Sequence, residues 1–250
     1  MRRFLRPALA PFLEDYLDRM QALVDSGADT ATTWKSQRQS VLMLQIVQVL
    51  AKMTGPRQRC MYCEDSRGTD VEHFKPKVPF RDHVFRWLNL LWICTGCNRA
   101  KGNRFPCDES GSPLLLDPTL DEPWDFLYFD RDTGEITARW EAGTGAENPR
   151  GQALLEILAP LRHQAVTEGR RRTSMRLRRV VRSFLAHHTD AAEKLTAASI
   201  EDLLDEVDDA MDYGIALWFF LRDGCNDEPF GQLRTRFPTL WETIVNHLVA

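Results

Sequence analysis

Two C-x-x-C pairs, Cys60/Cys63 and Cys94/Cys97, limit how this chain can fold more than any other feature. A two-residue gap lets both sulfurs of a pair reach one ion from a tight turn, and four thiolates satisfy tetrahedral zinc at about 2.3 Å. The thirty residues between the pairs exceed the usual finger spacing, so a whole submodule must fit in the gap. The competing reading makes one pair coincidental or redox-active, and compartment decides between the two. No apolar run reaches the roughly 18 residues of a membrane span, so no membrane contact is expected. The start MRRFLRPALAPFLEDYL carries two prolines and the acids Glu14 and Asp15, too early for a signal peptide. A cytoplasmic location is therefore expected, the thiols stay reduced, and structural Zn²⁺ on all four cysteines follows. Cys107 and Cys225 read as core thiols.

The rest of the chain frames this module. Its 250 residues suffice for one sizeable core with additions, or for two small domains. The net charge is −4, so nucleic acid would have to be met through a local patch. Residues 1–56 read as a helical segment. In it, Phe12, Leu13, Tyr16, Leu17, Met20, Leu23 and Val24 share one face of a helix over 11–24, and a second helix is expected over 30–53. Residues 57–108 lose helical period and hold the cysteines. Residues 109–145 read as loop and hairpin, with FLYFDRDTGEITARW as two strand-like runs around a glycine turn. Residues 146–250 turn helical again, with SIEDLLDEVDDAMDYGIALWFFLR as one amphipathic helix and a last helix after Pro238. The fold class is α+β: a small irregular module inside a mostly α-helical frame.

Between the pairs lies DVEHFKPK, residues 70–77, and after it WLNLLWICTGCNRAKG. Asn98 follows the fourth cysteine directly, so a metal there would hold it rigidly at the start of a helix. Glu72 and Asn98 together would offer two oxygen ligands to a hard divalent cation, with water completing the shell. On a strand, His73 would point away from Glu72, so a local bend is required, and Pro76 provides for one. Singly, each of these residues has an ordinary structural use. Their conjunction is the informative part.

Residues 60–106 resemble the HNH nuclease family, whose core is a ββα-metal fold. The landmarks stand in order: Cys60/Cys63, Glu72-His73, Asn89-Leu90, Cys94/Cys97-Asn98 and Lys101. The resemblance implies a metal-dependent endonuclease that hydrolyses phosphodiester bonds of DNA to a 5′-phosphate and a 3′-hydroxyl. It implies that Glu72 and Asn98 hold a catalytic Mg²⁺ or Mn²⁺, that His73 is the general base, and that Asn89 holds the loop bearing it. Many members have Asp or His where this chain has Glu72, and Asp70 could instead orient a ligand or water. Lys75, Lys77, Arg99, Lys101 and Arg104 surround the motif and are the expected phosphate contacts. From Arg162 to Arg182, eight arginines and one acid could form a phosphate track, a partner surface or solvated charge. The acid-rich run 201–212 reads as solvent or partner surface.

A longer stretch, to about residue 137, is similar to the HNH nuclease subunits of Septu and retron-associated anti-phage systems. That similarity implies a partner, an ABC/SMC-like ATPase that holds or gates the nuclease. The alternatives are a stand-alone restriction-type or mobile-element HNH enzyme, an RNA- or tRNA-cleaving nuclease, and an inactive zinc-stabilised interaction module.

Overall fold

Helices dominate the computed structural model, which describes residues 1–188 and 195–249. The N-terminal part holds α1 (Pro11–Asp25), α2 (Thr30–Gln37) and α3 (Val41–Met53). The single helix expected over 30–53 is thus two. Ser40 is in extended conformation and its hydroxyl accepts the Met43 amide hydrogen, so α3 begins afresh with its own N-cap. The buried face of α1 is Leu13, Tyr16, Leu17, Gln21 and Val24, whereas Phe12 and Leu23 face outward. A polar residue, Gln21, has taken a core position that apolar periodicity could not assign.

The middle of the chain pairs β1 (Asp70–His73) with β2 (Leu90–Ile93) as an antiparallel ribbon, and α4 (Thr95–Lys101) follows directly. All four β2 residues are buried. β2 of the ribbon lies against α3, and β1 against α4. A second hairpin joins β3 (Leu127–Phe129) to β4 (Ile136–Ala138), as the alternating pattern around Gly134 requires. A short ribbon of β5 (Trp140–Glu141) and β6 (Ala146–Glu147) follows.

The C-terminal part comprises α5 (Pro149–Ile157), α6 (Gln164–His187), α7 (Ala197–Asp209), α8 (Ile215–Leu221), α9 (Phe230–Arg236) and α10 (Pro238–Val249). The long amphipathic helix expected from residue 199 is broken between α7 and α8. Tyr213 and Gly214 both take positive φ there, 62° and 69°. Positive φ cannot continue a right-handed helix, and glycine makes one of the two positions inexpensive. Beyond the break, Phe219 stacks on Phe230 at 4.2 Å, and Trp218 meets Phe129 edge-on. The break itself reaches the cysteine module. The Tyr213 hydroxyl donates to Asp65 at 2.8 Å, and Asp212 pairs with Arg57 and with Arg59.

Among the described residues, half of the arginine run, four of its eight, pairs with acids inside the molecule. Arg170 is buried and donates to the carbonyls of Gly134 and Leu161. Arg171 and Arg172 pair with Glu168, Arg178 pairs with Asp132, and Arg176 pairs with Glu206 and Asp209 of α7. The basic and acidic runs that the sequence presents as separate surfaces therefore face each other. Cys107 is exposed and Cys225 half-buried, so neither is the core thiol expected.

Candidate functional site

The four cysteines converge. Cys60 and Cys63 sit on the turn after α3; Cys94 caps α4 and Cys97 lies in its first turn. Their sulfurs all lie within 4.8 Å of one another, and all four residues are buried. The Cys63 and Cys94 sulfurs are 3.8 Å apart. A tetrahedron with metal–sulfur bonds of about 2.3 Å has edges of about 3.8 Å, so this cluster could hold zinc. Burial pushes the Cys60 thiol well above its ordinary range, while hydrogen bonds from neighbouring thiols push Cys94 well below it. Backbone pairing fastens the cysteine turn to the ribbon: Met61 donates to the Trp92 carbonyl and Thr69 to that of Ile93.

The ribbon aligns the candidate acids. Asp70 and Glu72, two residues apart on β1, share a face. Asn98, on the first turns of α4, donates its amide to Asp70 Oδ2 at 3.2 Å, and the Thr95 hydroxyl donates to the same oxygen. Glu72 Oε1 accepts from the Lys101 ammonium at 2.9 Å. That ammonium also donates to the His73 carbonyl at 2.8 Å. Lys101 has no exposed surface, which excludes it from the phosphate contacts expected of it. Burial lowers its pKa, and Glu72 opposes that shift. A lysine sheathed at the end of α4 is kept because it cancels a carboxylate taken out of water.

His73 is 1% exposed. Its Nε2 lies 2.9 Å from the Val84 carbonyl. A carbonyl can only accept, so Nε2 carries the proton and Nδ1 keeps the lone pair. Nδ1 is buried and has no hydrogen-bond partner among the described residues. Burial, then the positive charge of Lys77, lowers the His73 pKa from its ordinary value of 6.5 to about 3, so the ring is neutral near pH 7. The Trp34 indole covers the imidazole edge-on at 4.4 Å.

Two residues fix the surroundings of His73. Asn89 accepts from the Lys75 amide at 2.7 Å and donates to the carbonyls of Lys75 and His83, tying both ends of the loop between them. Gln21 of α1 accepts from the Phe85 amide and donates to the Arg81 carbonyl, which fixes the segment that carries Val84. Sequence reading passed over Gln21, Trp34 and Val84. The contacts of Gln21 and Trp34 span tens of residues and that of Val84 spans 11, and nothing in their local patterns marks them.

The remaining basic residues differ in what they hold. The Lys75 ammonium lies 3.0 Å from His83 Nε2. The Arg104 guanidinium donates to the Ile157 carbonyl at 2.7 Å and so fastens the end of α4 to α5. Arg99 is exposed. Lys77 lies over the Trp34 ring. Trp34, Arg38, Lys77, Asp70, Glu72 and Asn98 line one cleft of about 560 Å³, which brings the candidate acids and Asn98 together beside α2.

No protein-family profile matches the chain, and no solved structure does. Over 79 residues the chain is 37% identical to the Septu protein PtuB of Bacillus thuringiensis. That stretch covers 30% of this chain and 29% of that protein, so less than a third of the relative's length is matched. Part of this chain is thus similar to a Septu protein, and the chain carries a four-cysteine cluster that could bind zinc.

Proposed function

We propose that the chain is a metal-dependent HNH-type endonuclease that hydrolyses phosphodiester bonds of DNA. We place it as the nuclease effector of a bacterial anti-phage complex with an ATPase partner. The observation that carries the reading is the state of His73. Its Nε2–H is spent on Val84 and its buried Nδ1 makes no hydrogen bond among the described residues; β1 stays regular through His73, without the bend expected from the sequence, so the ring sits across the strand from Glu72, which lines a cleft with Asp70 and Asn98. A neutral imidazole of fixed tautomer can take a proton from water without a change of charge state beforehand.

The oxygen donors fit a hard divalent cation. Among the described residues, Asp70 Oδ1, Glu72 Oε2 and Asn98 Oδ1 make no hydrogen bond, although their partner atoms do. Glu72 and Asn98, with Asp70 beside them, would hold Mg²⁺ or Mn²⁺. When bound, such an ion supplies charge neutralisation at the scissile phosphate and its leaving oxygen. Lys101 pairs with Glu72 and fixes the carbonyl of His73, while Asn89 and Gln21 hold the loop on either side. The cysteine cluster, with Zn²⁺, would anchor α4 and so the position of Asn98. The similarity to PtuB supports the defence role, and the ATPase partner comes with that reading.

The test is cleavage of plasmid and single-stranded DNA by purified chain with Mg²⁺ or Mn²⁺. His73→Ala should lower the rate by about 10²-fold or more, with far-ultraviolet circular dichroism and zinc content unchanged. Full activity in folded His73→Ala overturns the reading. Co-purification from the native operon tests the ATPase.

A further inference from the structure

The cleft lined by Asp70, Glu72 and Asn98 has a neighbour. A groove of about 940 Å³ runs from the cysteine turn to the 3-10 turn Ala159–Arg162 ahead of α6. Thr69 lines both the cleft and the groove, and its hydroxyl meets that of Thr95 at 3.1 Å. Thr95 in turn donates to Asp70. The two depressions therefore adjoin at a ridge of two hydroxyls beside the candidate acids.

Charge is distributed along this path in a particular way. Arg38 and Lys77 line the cleft, and Arg67 and Arg162 line the groove. None of the four forms an ion pair with a carboxylate among the described residues, and Arg38, Arg67 and Arg162 are exposed. Most arginines of α6 are instead matched to acids. The groove floor is small and apolar, with Gly96 and Ala159 among its residues. Its one acid, Asp65, already accepts the Tyr213 hydroxyl. Unmatched cations at both ends of a continuous depression in a chain of net charge −4 are complementary to a polyanion.

The geometry points to a nucleic-acid track: a DNA strand lies along both depressions and crosses the candidate centre at the Thr69–Thr95 ridge. Arg38 and Lys77 hold phosphates on one side of the ridge, and Arg67 and Arg162 hold them on the other. This deepens the nuclease reading and rests on it for the position of the scissile bond. Two of the residues that hold the strand, Arg38 at the C-cap of α2 and Arg162 on the turn before α6, lie outside the 60–106 motif. The rim contacts are to phosphates, so the track positions the strand without reading its sequence.

The experiment is fluorescence anisotropy of a fluorescein-labelled single-stranded DNA oligonucleotide. It uses full-length His73→Ala protein, in which binding is read without cleavage, over a series of salt concentrations. Arg38→Gln and Arg162→Gln should each weaken binding by about fivefold and lower the slope of log K against log salt by about 0.7 to 1. Arg179→Gln, exposed on α6 and away from both depressions, should bind like the parent. Thermal midpoints confirm that all variants are folded. Parental binding by Arg38→Gln or Arg162→Gln overturns the track, as does an equal loss in Arg179→Gln. In those cases, His73-dependent cleavage by wild-type protein still leaves the nuclease reading standing. Losses at Arg38 and Arg162 without any His73-dependent cleavage sustain the track and overturn the nuclease reading.

Discussion

The cysteine module and the α6–α7 pair hold similar amounts of charge and use it in opposite ways. Between α6 and α7, long side chains meet at the surface: Arg176 is 56% exposed where it pairs with Glu206 and Asp209. In the module, Lys101 is buried and matched with Glu72, while Arg38 and Lys77 beside the cleft pair with no carboxylate among the described residues. The first arrangement satisfies the protein's own electrostatics. The second leaves oxygens and cations available to something else. A count of arginines favours α6 as a binding surface, whereas unmatched cations placed beside the candidate acids favour the cleft.

The contrast breaks most visibly at the sulfurs. Cys60→Ser or Cys94→Ser should abolish folding of the module, since structural zinc contributes about 10 kcal/mol or more where domains have about 5–15 to lose. Soluble yield, zinc content and circular dichroism report this, and a folded, zinc-free Cys60→Ser protein would contradict it. Next comes Lys101→Met, which strands Glu72 and the His73 carbonyl without their donor. About 3–5 kcal/mol should be lost in urea unfolding. A loss below about 1 kcal/mol would make Lys101 no different from a surface cation.

Protonation gives a smaller, tunable effect. Folded His73 titrates near pH 3 and unfolded His73 near its ordinary 6.5. The unfolded chain therefore binds the extra proton between those values. The stability associated with neutral His73 is complete above about pH 6.5 and is lost as pH falls toward about 3. Trp34→Ala opens the ring to water, raises its pKa and should flatten this acid slope. Urea midpoints at about pH 7.5 and about pH 4.5 measure it; an unchanged slope in Trp34→Ala would remove Trp34 from the account. The smallest effect belongs to Arg176→Ala, at about 1 kcal/mol or less and diminishing with added salt.

How much of this was legible in the sequence follows from distance along the chain. Metal-ligand spacing is local, so the cysteine cluster could be read from two short motifs. The β3–β4 hairpin was legible for the same reason, as strand alternation and its glycine turn lie within one segment. Ser40 ahead of an apolar run and Gly214 inside a helical pattern also announced their breaks, but periodicity outweighed them. Lys101 could not be read correctly, because its burial depends on an acid 29 residues earlier. The pairing of α6 with α7 and the grip of Gln21 on the 81–85 segment are likewise products of the assembled fold.

The contact of Asp65 with Tyr213, and of Arg57 and Arg59 with Asp212, crosses about 150 residues of chain. It fastens the cysteine turn to the left-handed break between α7 and α8. Loosening the four sulfurs would therefore not stay a local event. The disturbance would pass into the C-terminal helices, and the two ends of the polypeptide would melt as a single cooperative unit. Occupancy of the cluster would then be readable from protease resistance of α8 to α10, far from any cysteine that holds it.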